Sequence, residues 1–444
     1  MPAGTKIAFI NGIHLAMLFV IGKRTKICEL MKGFDMTVLF FLSMVLLPLH
    51  SWAFLTDTAV HPQSTGLSLP TAGSKATDHV FGSTILRVTD SGDGSGDCMT
   101  FYSNMPSLNV NNTKVAAQCR VVGPKRFKVW DFNASTMTRS NGRTQSNPVA
   151  GAQEYFPQWS RTTSNKFTVC AQMNLVEVTI PDGTSTVWTN KILRNFTTDF
   201  PGATRVTQHS VSNNDDVFAV MSNTGGYAVW RRSTNSILLR VTNATGLNEV
   251  EIDKSGRYLV VRRSGITAIW DLQAGPTQTQ VAATLAFSHR AMGNRIVGSA
   301  CNYRRLCVRN LATPNTVTFI LPRDSWTYYT HDDHFAMPSG SDAWMTASRY
   351  SRTGGPVLQA FDNEIVQIAT DGSNRVRRIA HHRSVVVNNN YDAQPKASVS
   401  RDGNFITFTS NWGNPSGRKD VYLVRVQSTT ATTRAAPTNP RIVR

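Results

Sequence analysis

A unit of short strands recurs along most of this chain, and it limits the fold more than any other feature of the sequence. Seven segments share an apolar, alternating pattern that ends in a polar turn, among them KVWDFNAS, YAVWRRST and TAIWDLQAG. Alternation with a period of two predicts strands rather than helices. The intervals between segments are roughly 40 to 60 residues, a period typical of proteins built from repeated small sheets. The central residues of the seven segments are Trp130, Val178, Trp230, Trp270, Arg309, Gln367 and Leu423.

The last unit, residues 391–426, shows the internal plan of each repeat. It predicts three strands, 395–399, 404–410 and 420–426, with an SRDG turn between the first two. Asp-Gly favours a tight turn because glycine adopts positive φ without a steric cost. Seven such units with four short strands each predict an all-β, seven-bladed β-propeller. A pair of β-sandwiches is the alternative all-β fold, but it would leave the repeat unexplained.

The final unit lacks a fourth strand, and an unassigned strand precedes the first unit. Residues 84–89, within FGSTILRVTD, alternate like a strand but belong to no complete unit. We therefore predict that 84–89 pairs antiparallel with 420–426 as the outer strand of the final blade. This N-terminal strand would close the ring and cover a row of backbone groups that would otherwise form an open sheet edge.

The final repeat, SRDGNFITFTSN, resembles the WD-like blades of the periplasmic Tol-system propeller and of many secreted bacterial propellers. Residues 377–410 look like the closing blades of oligogalacturonate lyases, which are seven-bladed and bind a divalent metal through histidines and a glutamine. The resemblance implies a divalent metal, manganese or calcium, near the channel; the residues by themselves predict no cofactor. Where the lyases have a glutamine followed by His-Pro-His, this chain reads Gln394-Pro395-Lys396, so both histidines are absent.

The N-terminal residues have the plan of a secretory signal peptide. An uncharged apolar run, TVLFFLSMVLLPL, follows Lys32 and ends shortly before small residues suited to cleavage. Met31 is an alternative start, and an uncleaved membrane anchor is the alternative function of the run. A signal peptide predicts a periplasmic or secreted protein. The predicted segments are a signal peptide at 1–53, a flexible leader at 54–80, the propeller at 81–427 and a disordered tail at 428–444.

The charge of the chain points to anionic partners. The formal net charge is +18, and it falls to +15 once the five Lys/Arg and two Asp/Glu of residues 1–53 are removed. A basic exported protein is suited to polyanions such as uronate polysaccharides. We predict a protein or an anionic polysaccharide as the partner and a monomeric state, with no dedicated nucleic-acid motif and no transmembrane domain in the mature chain. A basic surface without a specific ligand is the alternative.

The five cysteines that follow residue 53 allow disulfides in an exported protein but leave at least one thiol unpaired. Cys301 and Cys307 flank NYRRL at a predicted hairpin, where cross-strand pairing is geometrically feasible. No CxxC or Cys/His zinc spacing occurs in the sequence.

Residues just before the first strand of each blade are predicted to lie at one mouth of the channel, where binding sites of this fold usually lie. His331-Asp332-Asp333-His334 is the densest group of potential ligands. Imidazoles with carboxylates suit zinc, manganese or proton transfer. His331 and His334 are therefore candidate metal ligands and, with Tyr391, candidate catalytic residues. The candidate binding residues are His209, His289, Asp332, His381, His382, Asp392 and Gln394.

Strand geometry limits how these residues can cooperate. Adjacent residues of a strand point to opposite faces, so at most two of the four residues 331–334 could share a ligand. Hydrogen bonding between loops at the channel mouth is the alternative role of this group. His381 and His382 precede the final blade by a short loop that could bring them to the same mouth.

Two functions remain compatible with the sequence, which has no G-x-S-x-G, phosphate-loop, dinucleotide or H-E-x-x-H motif. The first is an exported binding or scaffold propeller that engages a protein or polyanion through a basic face or channel mouth. The alternative is a polysaccharide lyase that acts on uronates by β-elimination. In the lyase, His331 or His334 with Tyr391 would take the C5 proton, and nearby arginines would neutralise the carboxylate.

Overall fold

The computed structural model describes residues 54–427 apart from seven short segments: 121–124, 153–156, 275–276, 282–288, 303–304, 327–330 and 354–358. The predicted signal peptide at 1–53 and the predicted tail at 428–444 lie outside the described residues. In the part of the chain that is described, no helix is long and apolar enough to span a membrane. Strands dominate, and the helical pieces among the described residues are the 3-10 turns Ser91–Asp93 and Tyr391–Ala393.

Six four-stranded antiparallel sheets follow one another along the chain, and each is one blade in which consecutive strands are neighbours. Blade one contains β3 (Cys98–Met99), β4 (Lys114–Arg120), β5 (Lys125–Asn133) and β6 (Thr138–Thr144). Blade two contains β7 (Gln158–Trp159), β8 (Lys166–Ala171), β9 (Asn174–Thr179) and β10 (Thr189–Asn195). Blade three contains β11 (Val206–Val211), β12 (Val217–Ser222), β13 (Tyr227–Arg231) and β14 (Ser236–Val241).

The next three blades repeat this plan. Blade four contains β15 (Leu247–Ile252), β16 (Tyr258–Arg263), β17 (Ile266–Asp271) and β18 (Thr277–Val281). Blade five contains β19 (Arg290–Met292), β20 (Ile296–Asn302), β21 (Arg305–Asn310) and β22 (Val317–Phe319). Blade six contains β23 (His331–Ala336), β24 (Trp344–Ser351), β25 (Glu364–Ala369) and β26 (Val376–His381). Six central residues of the predicted repeat lie in the third strands of these blades, and Leu423 lies in the seventh sheet, which confirms the seven-bladed propeller.

Blade seven combines both ends of the propeller. Its strand order is β1 (Lys75–Thr77), β2 (Thr84–Arg87), β29 (Asp420–Arg425), β28 (Phe405–Ser410) and β27 (Ser398–Val399). The strand β2 pairs antiparallel with β29, and Ile85 lies opposite Val424. The predicted closure of the ring by the N-terminal strand is confirmed.

The leader, residues 54–80, contributes backbone pairing and a buried carboxylate to the last two blades. Its strand β1 adds a fifth strand to blade seven, and Leu55 forms a β-bridge with Arg378 of blade six. The carboxylate of Asp78 is fully buried and accepts hydrogen bonds from the backbone and the ring of His381, at 2.8 and 3.0 Å. Ser, Thr and Gly gave the segment the composition of a linker, but backbone pairing requires no apolar side chains.

The hydrophobic core lies mainly between neighbouring blades, since both faces of most sheets are apolar. Between blades seven and one, for example, Leu86 and Leu423 pack with Trp130. At the edge of the same cluster, the rings of Phe132 and Phe405 meet edge to face, with centroids 5.4 Å apart. Each blade therefore depends on its neighbours for burial, which favours a closed ring.

Two disulfides tie strands together within blades. Cys98 of β3 is bonded to Cys119 of β4, and Cys301 of β20 is bonded to Cys307 of β21. The Cys301–Cys307 bond joins the two cysteines for which the sequence predicts feasible pairing across a hairpin. Cys170 is a buried free thiol.

Candidate functional site

The first strands of the blades line the channel, and we call the end at which they begin the strand-start mouth. It is defined here by His289, just before β19, and by residues 332–334 at the start of β23. The opposite end, where each chain segment turns from the first to the second strand, is the turn mouth. The candidate residues from blades five and six meet at the strand-start mouth.

One imidazole and two carboxylates converge at this mouth. The Nδ1 atom of His289 lies 3.7 Å from Oδ1 of Asp332 and 3.8 Å from Oδ1 of Asp333. The ligand atoms of these three residues all lie within 4.8 Å of one another. The separations exceed those of hydrogen bonds, as expected of ligands that would meet on a shared cation. We call these three residues the His289 cluster.

Neighbouring donors hold the two carboxylates in place. Trp326 Nε1 donates to Oδ2 of Asp333 at 2.7 Å, and a guanidinium nitrogen of Arg352 donates to Oδ2 of Asp332 at 2.9 Å. Both contacts use the Oδ2 atoms, so each Oδ1 atom is left turned toward His289. Hydrogen bonds that hold the ligand side chains in this way orient the ligands of protein metal sites.

Aromatic side chains form a wall beside the cluster. The ring of His334 stacks on His289 with centroids 4.4 Å apart, and on its other side it faces Tyr350 at 5.7 Å. Tyr102 meets His334 edge to face at 5.3 Å. His334 Nδ1 and the Tyr350 hydroxyl are buried without a hydrogen-bond partner among the described residues. Buried polar atoms are rarely left unpaired, so these two are available to a ligand or to water.

The environment moves the pKa values of these groups in different directions. Burial disfavours the charged form of His289, but Asp333, Asp332 and Glu249 outweigh it, and the pKa is raised. Burial, helped by the positive charge expected on His289, holds the pKa of His334 well below its usual range. Burial next to acidic groups raises the pKa of Tyr350. His334 is therefore neutral and Tyr350 protonated at neutral pH.

The rim of the strand-start mouth carries cations and the predicted residues of the loop before β27. The half-exposed ring of Tyr391 covers the buried side chain of Lys396, whose ammonium lies 3.6 Å from the ring centroid and donates to the Tyr391 carbonyl oxygen. Asp392 forms an ion pair with Arg120 at 3.3 Å. The side chain of Gln394 donates to a neighbouring asparagine, Asn389, of the same loop.

The structure does not bring the other predicted histidines into the His289 cluster. His331 points away from His334 and pairs with Asp362 at 3.2 Å. His209 lies buried between blades two and three, where a ring nitrogen bonds Thr168 at 2.8 Å; burial, followed by the charge of Arg161, lowers its pKa to about 3. His381 and His382 lie at the outer edge of blade six and bond the backbone oxygens of His61 and Arg349.

Sequence reasoning missed two aromatic residues of the site. Tyr350 belongs to the second strand of blade six, whereas the sequence predicts candidates just before the first strands. Tyr102 follows the two-residue strand β3, and nothing in the local pattern shows that this segment crosses to blades five and six. The sequence signal for Tyr350 is its place in the alternating pattern of β24, the second strand of blade six.

Comparison with known proteins shows the fold. No protein-family model matches the chain, and no curated protein matches its sequence. Among solved structures, it is similar to an oligogalacturonate lyase from Vibrio parahaemolyticus, with a TM-score of 0.56 and 10% identity over 80% of this chain and 96% of the other. It is also similar to an oligogalacturonate lyase in complex with manganese, with a TM-score of 0.58 and 11% identity over 84% and 98% of the two chains. These likenesses support the predicted structural resemblance.

Proposed function

We propose that this propeller binds a divalent cation at the His289 cluster and, together with it, an anionic ligand at the strand-start mouth. The observation that carries the proposal is the convergence of His289, Asp332 and Asp333 from two blades. One imidazole with two carboxylates suits manganese, whereas calcium prefers ligand sets made of oxygen alone. The manganese complex of a lyase with the same fold supports this choice of metal.

The anionic class of the ligand is inferred from the cations around the mouth. The half-exposed guanidinium groups of Arg352 and Arg120 lie at the mouth next to Asp332 and Asp392, and the buried ammonium of Lys396 lies against the ring of Tyr391. Arginine pairs well with carboxylates. Together with the basic composition, these groups favour a uronate-containing polysaccharide or an acidic protein segment.

We further propose that the protein is exported and acts as a monomer. The two disulfides are compatible with an oxidising compartment, since such bonds are rare in reducing ones. The predicted signal peptide at 1–53 would direct the chain to export.

A second candidate function, β-elimination on uronates, is favoured by the unpartnered atoms beside the cluster. His334 Nδ1 would accept the C5 proton, the C4–O bond would break to leave a C4–C5 double bond, and the Tyr350 hydroxyl would supply a proton to the leaving oxygen. A bound divalent cation supplies positive charge that stabilises the negative charge developing on the uronate carboxylate. His331, which pairs with Asp362, takes no part in this scheme.

Removal of one carboxylate ligand should abolish tight cation binding. We expect the parent to bind Mn²⁺ and Asp332→Asn to bind it at least tenfold more weakly, because a neutral amide replaces a charged ligand. Titration calorimetry with MnCl₂ measures both affinities. Asp182→Asn, the same substitution in an exposed loop outside the cluster, is the matched control. Equal binding by the parent and Asp332→Asn would contradict the site.

Incubation with uronate polymers separates catalysis from binding. If the second candidate function holds, absorbance near 235 nm should rise with the parent in the presence of Mn²⁺ and stay flat with His334→Asn. His79→Asn, which changes an exposed histidine away from the mouth, should match the parent. If the absorbance does not rise when the metal-loaded parent is incubated with pectate, alginate and glucuronate polymers, binding remains as the function.

A further inference from the structure

The outer strands of blade seven turn one face toward blade one. On β2, Leu86 packs in the cluster between these two blades, and Thr84 shares its face because side chains two residues apart on a strand point the same way. Lys75 of β1 lies opposite Leu86. The antiparallel register of β2 and β29 puts Arg425 beside Thr84. Lys75, Thr84 and Arg425 therefore all project toward the outer edge of blade one.

The turn between β5 and β6 of blade one anchors both cations. The Lys75 ammonium donates to the carbonyl oxygen of Thr136 at 2.5 Å. Arg425 Nη2 donates to the carbonyl oxygen of Ser135 at 2.9 Å and also to that of Ala134. Ser135 and Thr136 are consecutive residues, so the ammonium and the guanidinium are held side by side on one turn.

A cavity of about 210 Å³ lies between this turn and the strands of blade seven. It is far larger than a single water molecule requires. Its lining combines Lys75 and Arg425 with three residues that carry hydroxyl groups, Thr84, Ser135 and Thr136. No acidic residue is among the described residues that line it. We call this cavity the seam pocket.

The two cations keep hydrogen-bond donors that the described part of the chain does not use. Arg425 makes its backbone bonds through Nη2, its Nη1 bonds no described residue, and its Nε is buried without a partner. The Lys75 ammonium has three N–H groups and uses one of them, on Thr136. Neither cation forms an ion pair with a described residue, and the hydroxyl of Thr84 has no hydrogen-bond partner among them.

These unused donors match the chemistry of a tetrahedral oxyanion. Two like charges held side by side repel each other, and a negative group between them replaces that repulsion with attraction. Arginine and lysine are the side chains that proteins use to bind phosphate groups. Lys75, Thr84 and Arg425 approach from three different strands, β1, β2 and β29. Three directions of approach suit the three free oxygens of a phosphate or sulfate group better than the two oxygens of a planar carboxylate.

We propose that the seam pocket binds a phosphate or sulfate group between Lys75 and Arg425, with the Thr84 hydroxyl donating to a third oxygen. The group is either a free ion or an ester on a sugar. The site lies at the outer edge of the ring, whereas the His289 cluster lies at the channel, so it does not rest on the proposed cation site. The bound group would join the leader, the last strand and blade one.

Thermal unfolding in phosphate tests this site against sodium chloride of equal ionic strength at pH 7. For a dissociation constant of about 1 mM, the unfolding temperature of the parent should rise by about 2 °C between ~1 and ~20 mM phosphate, with the logarithm of its concentration, as for any ligand of the native state. Lys75→Met should lose this rise, and Lys75→Arg should keep it. Lys191→Met, at an exposed position of β10, should match the parent. Equal responses of the parent to phosphate and chloride would overturn the proposal.

Other anions at the same ionic strength define the chemical class and its source. Sulfate and glucose 6-phosphate should both replace phosphate. Tighter binding of glucose 6-phosphate would identify a sugar ester as the source, and tighter binding of phosphate would identify the free ion. Galacturonate, which carries a carboxylate instead, should give no rise. A rise with galacturonate equal to that with phosphate would contradict the tetrahedral class.

Selenate gives a positional readout that does not depend on a variant. Crystals of the parent soaked in sodium selenate should show an anomalous selenium peak within about 4 Å of both Lys75 Nζ and Arg425 Nη1, since charge-assisted N···O contacts are about 2.8 Å long. If Lys75→Met does not fold, this peak alone decides. Absence of the peak from parent crystals, or its persistence in crystals of folded Lys75→Met, would overturn the site.

Discussion

Deletion of residues 81–90 is expected to unfold the propeller at temperatures where the parent is native. The deletion removes β2 and the residues that follow it. The side chains of Ile85, Leu86 and Val88, all within the deleted segment, are completely buried. Each such side chain contributes about 1.5–3 kcal/mol on burial, so the loss is comparable to the ~5–15 kcal/mol that stabilises a typical domain. The deletion also uncovers the backbone of β29. Circular dichroism melts of the purified proteins measure the effect.

Matched point variants keep this prediction testable if the deletion does not express. Leu86→Ala should cost about 2–5 kcal/mol because it leaves a cavity between blades seven and one. Leu69→Ala, in the exposed part of the leader, should change stability by less than about 0.5 kcal/mol. Deletion of 54–78, which removes β1 and Asp78, should fall between the two in effect. A deletion of 81–90 that melts with the parent would show that the ring does not need its closing strand.

Breaking the buried ion pair of blade six is expected to have the second large effect. Arg378 and Glu364 are both fully buried, and Arg378 Nε donates to Oε2 of Glu364 at 2.8 Å, with a second bond from Nη2 to Oε1. Arg378→Met leaves a carboxylate in an apolar setting, which typically costs about 3–5 kcal/mol. Adding Glu364→Leu should recover most of that loss, because the other acidic partner of Arg378 is Asp57, which is 45% exposed and remains solvated. Urea unfolding at pH 7 of the parent, both single variants and the double variant measures the coupling.

The cost of Arg378→Met should depend on pH in a defined direction. Burial already raises the pKa of Glu364 despite Arg378, and loss of the arginine should raise it further. A pKa raised in the folded state favours folding at pH values below the unfolded value, and this contribution is lost as the pH rises through the folded value. Arg378→Met should therefore be closer to the parent at pH 5 than at pH 7. Arg375→Met, at the exposed pair with Asp371, should show no measurable change.

The repeat made the architecture predictable from the sequence, because blades bury both faces and so repeat their apolar alternation. The closing strand followed from the final unit, which lacked one strand. The leader was not predictable in the same way, since β1 contributes backbone pairing and Asp78 contributes a single carboxylate. Neither leaves a periodic pattern in the sequence.

The candidate site was predictable only in part. His289 and Asp332 could be predicted from the sequence because they lie just before or at the start of the first strands of their blades. Strand alternation separated His331 from His334, as observed, but it did not predict that Asp332 and Asp333 both reach His289. At the very start of β23 the Asp332 side chain folds back, so that its Oδ1 accepts from the backbone nitrogen of Asp333. Contacts across the channel, such as those of Tyr102, depend on the closed ring and have no local signal.

The position of β2 in blade seven also sets the order of events while the protein is being made. Arg87 and its partner Asp420 are 333 residues apart in the sequence. At a synthesis rate of about 10 residues per second, the first of these strands waits roughly half a minute for the second. Throughout that interval its apolar side chains have no native partner, and any copy of β29 from another molecule is an equivalent partner. Newly made chains that are crowded together would therefore be prone to exchange this strand, whereas a completed ring keeps it within one molecule.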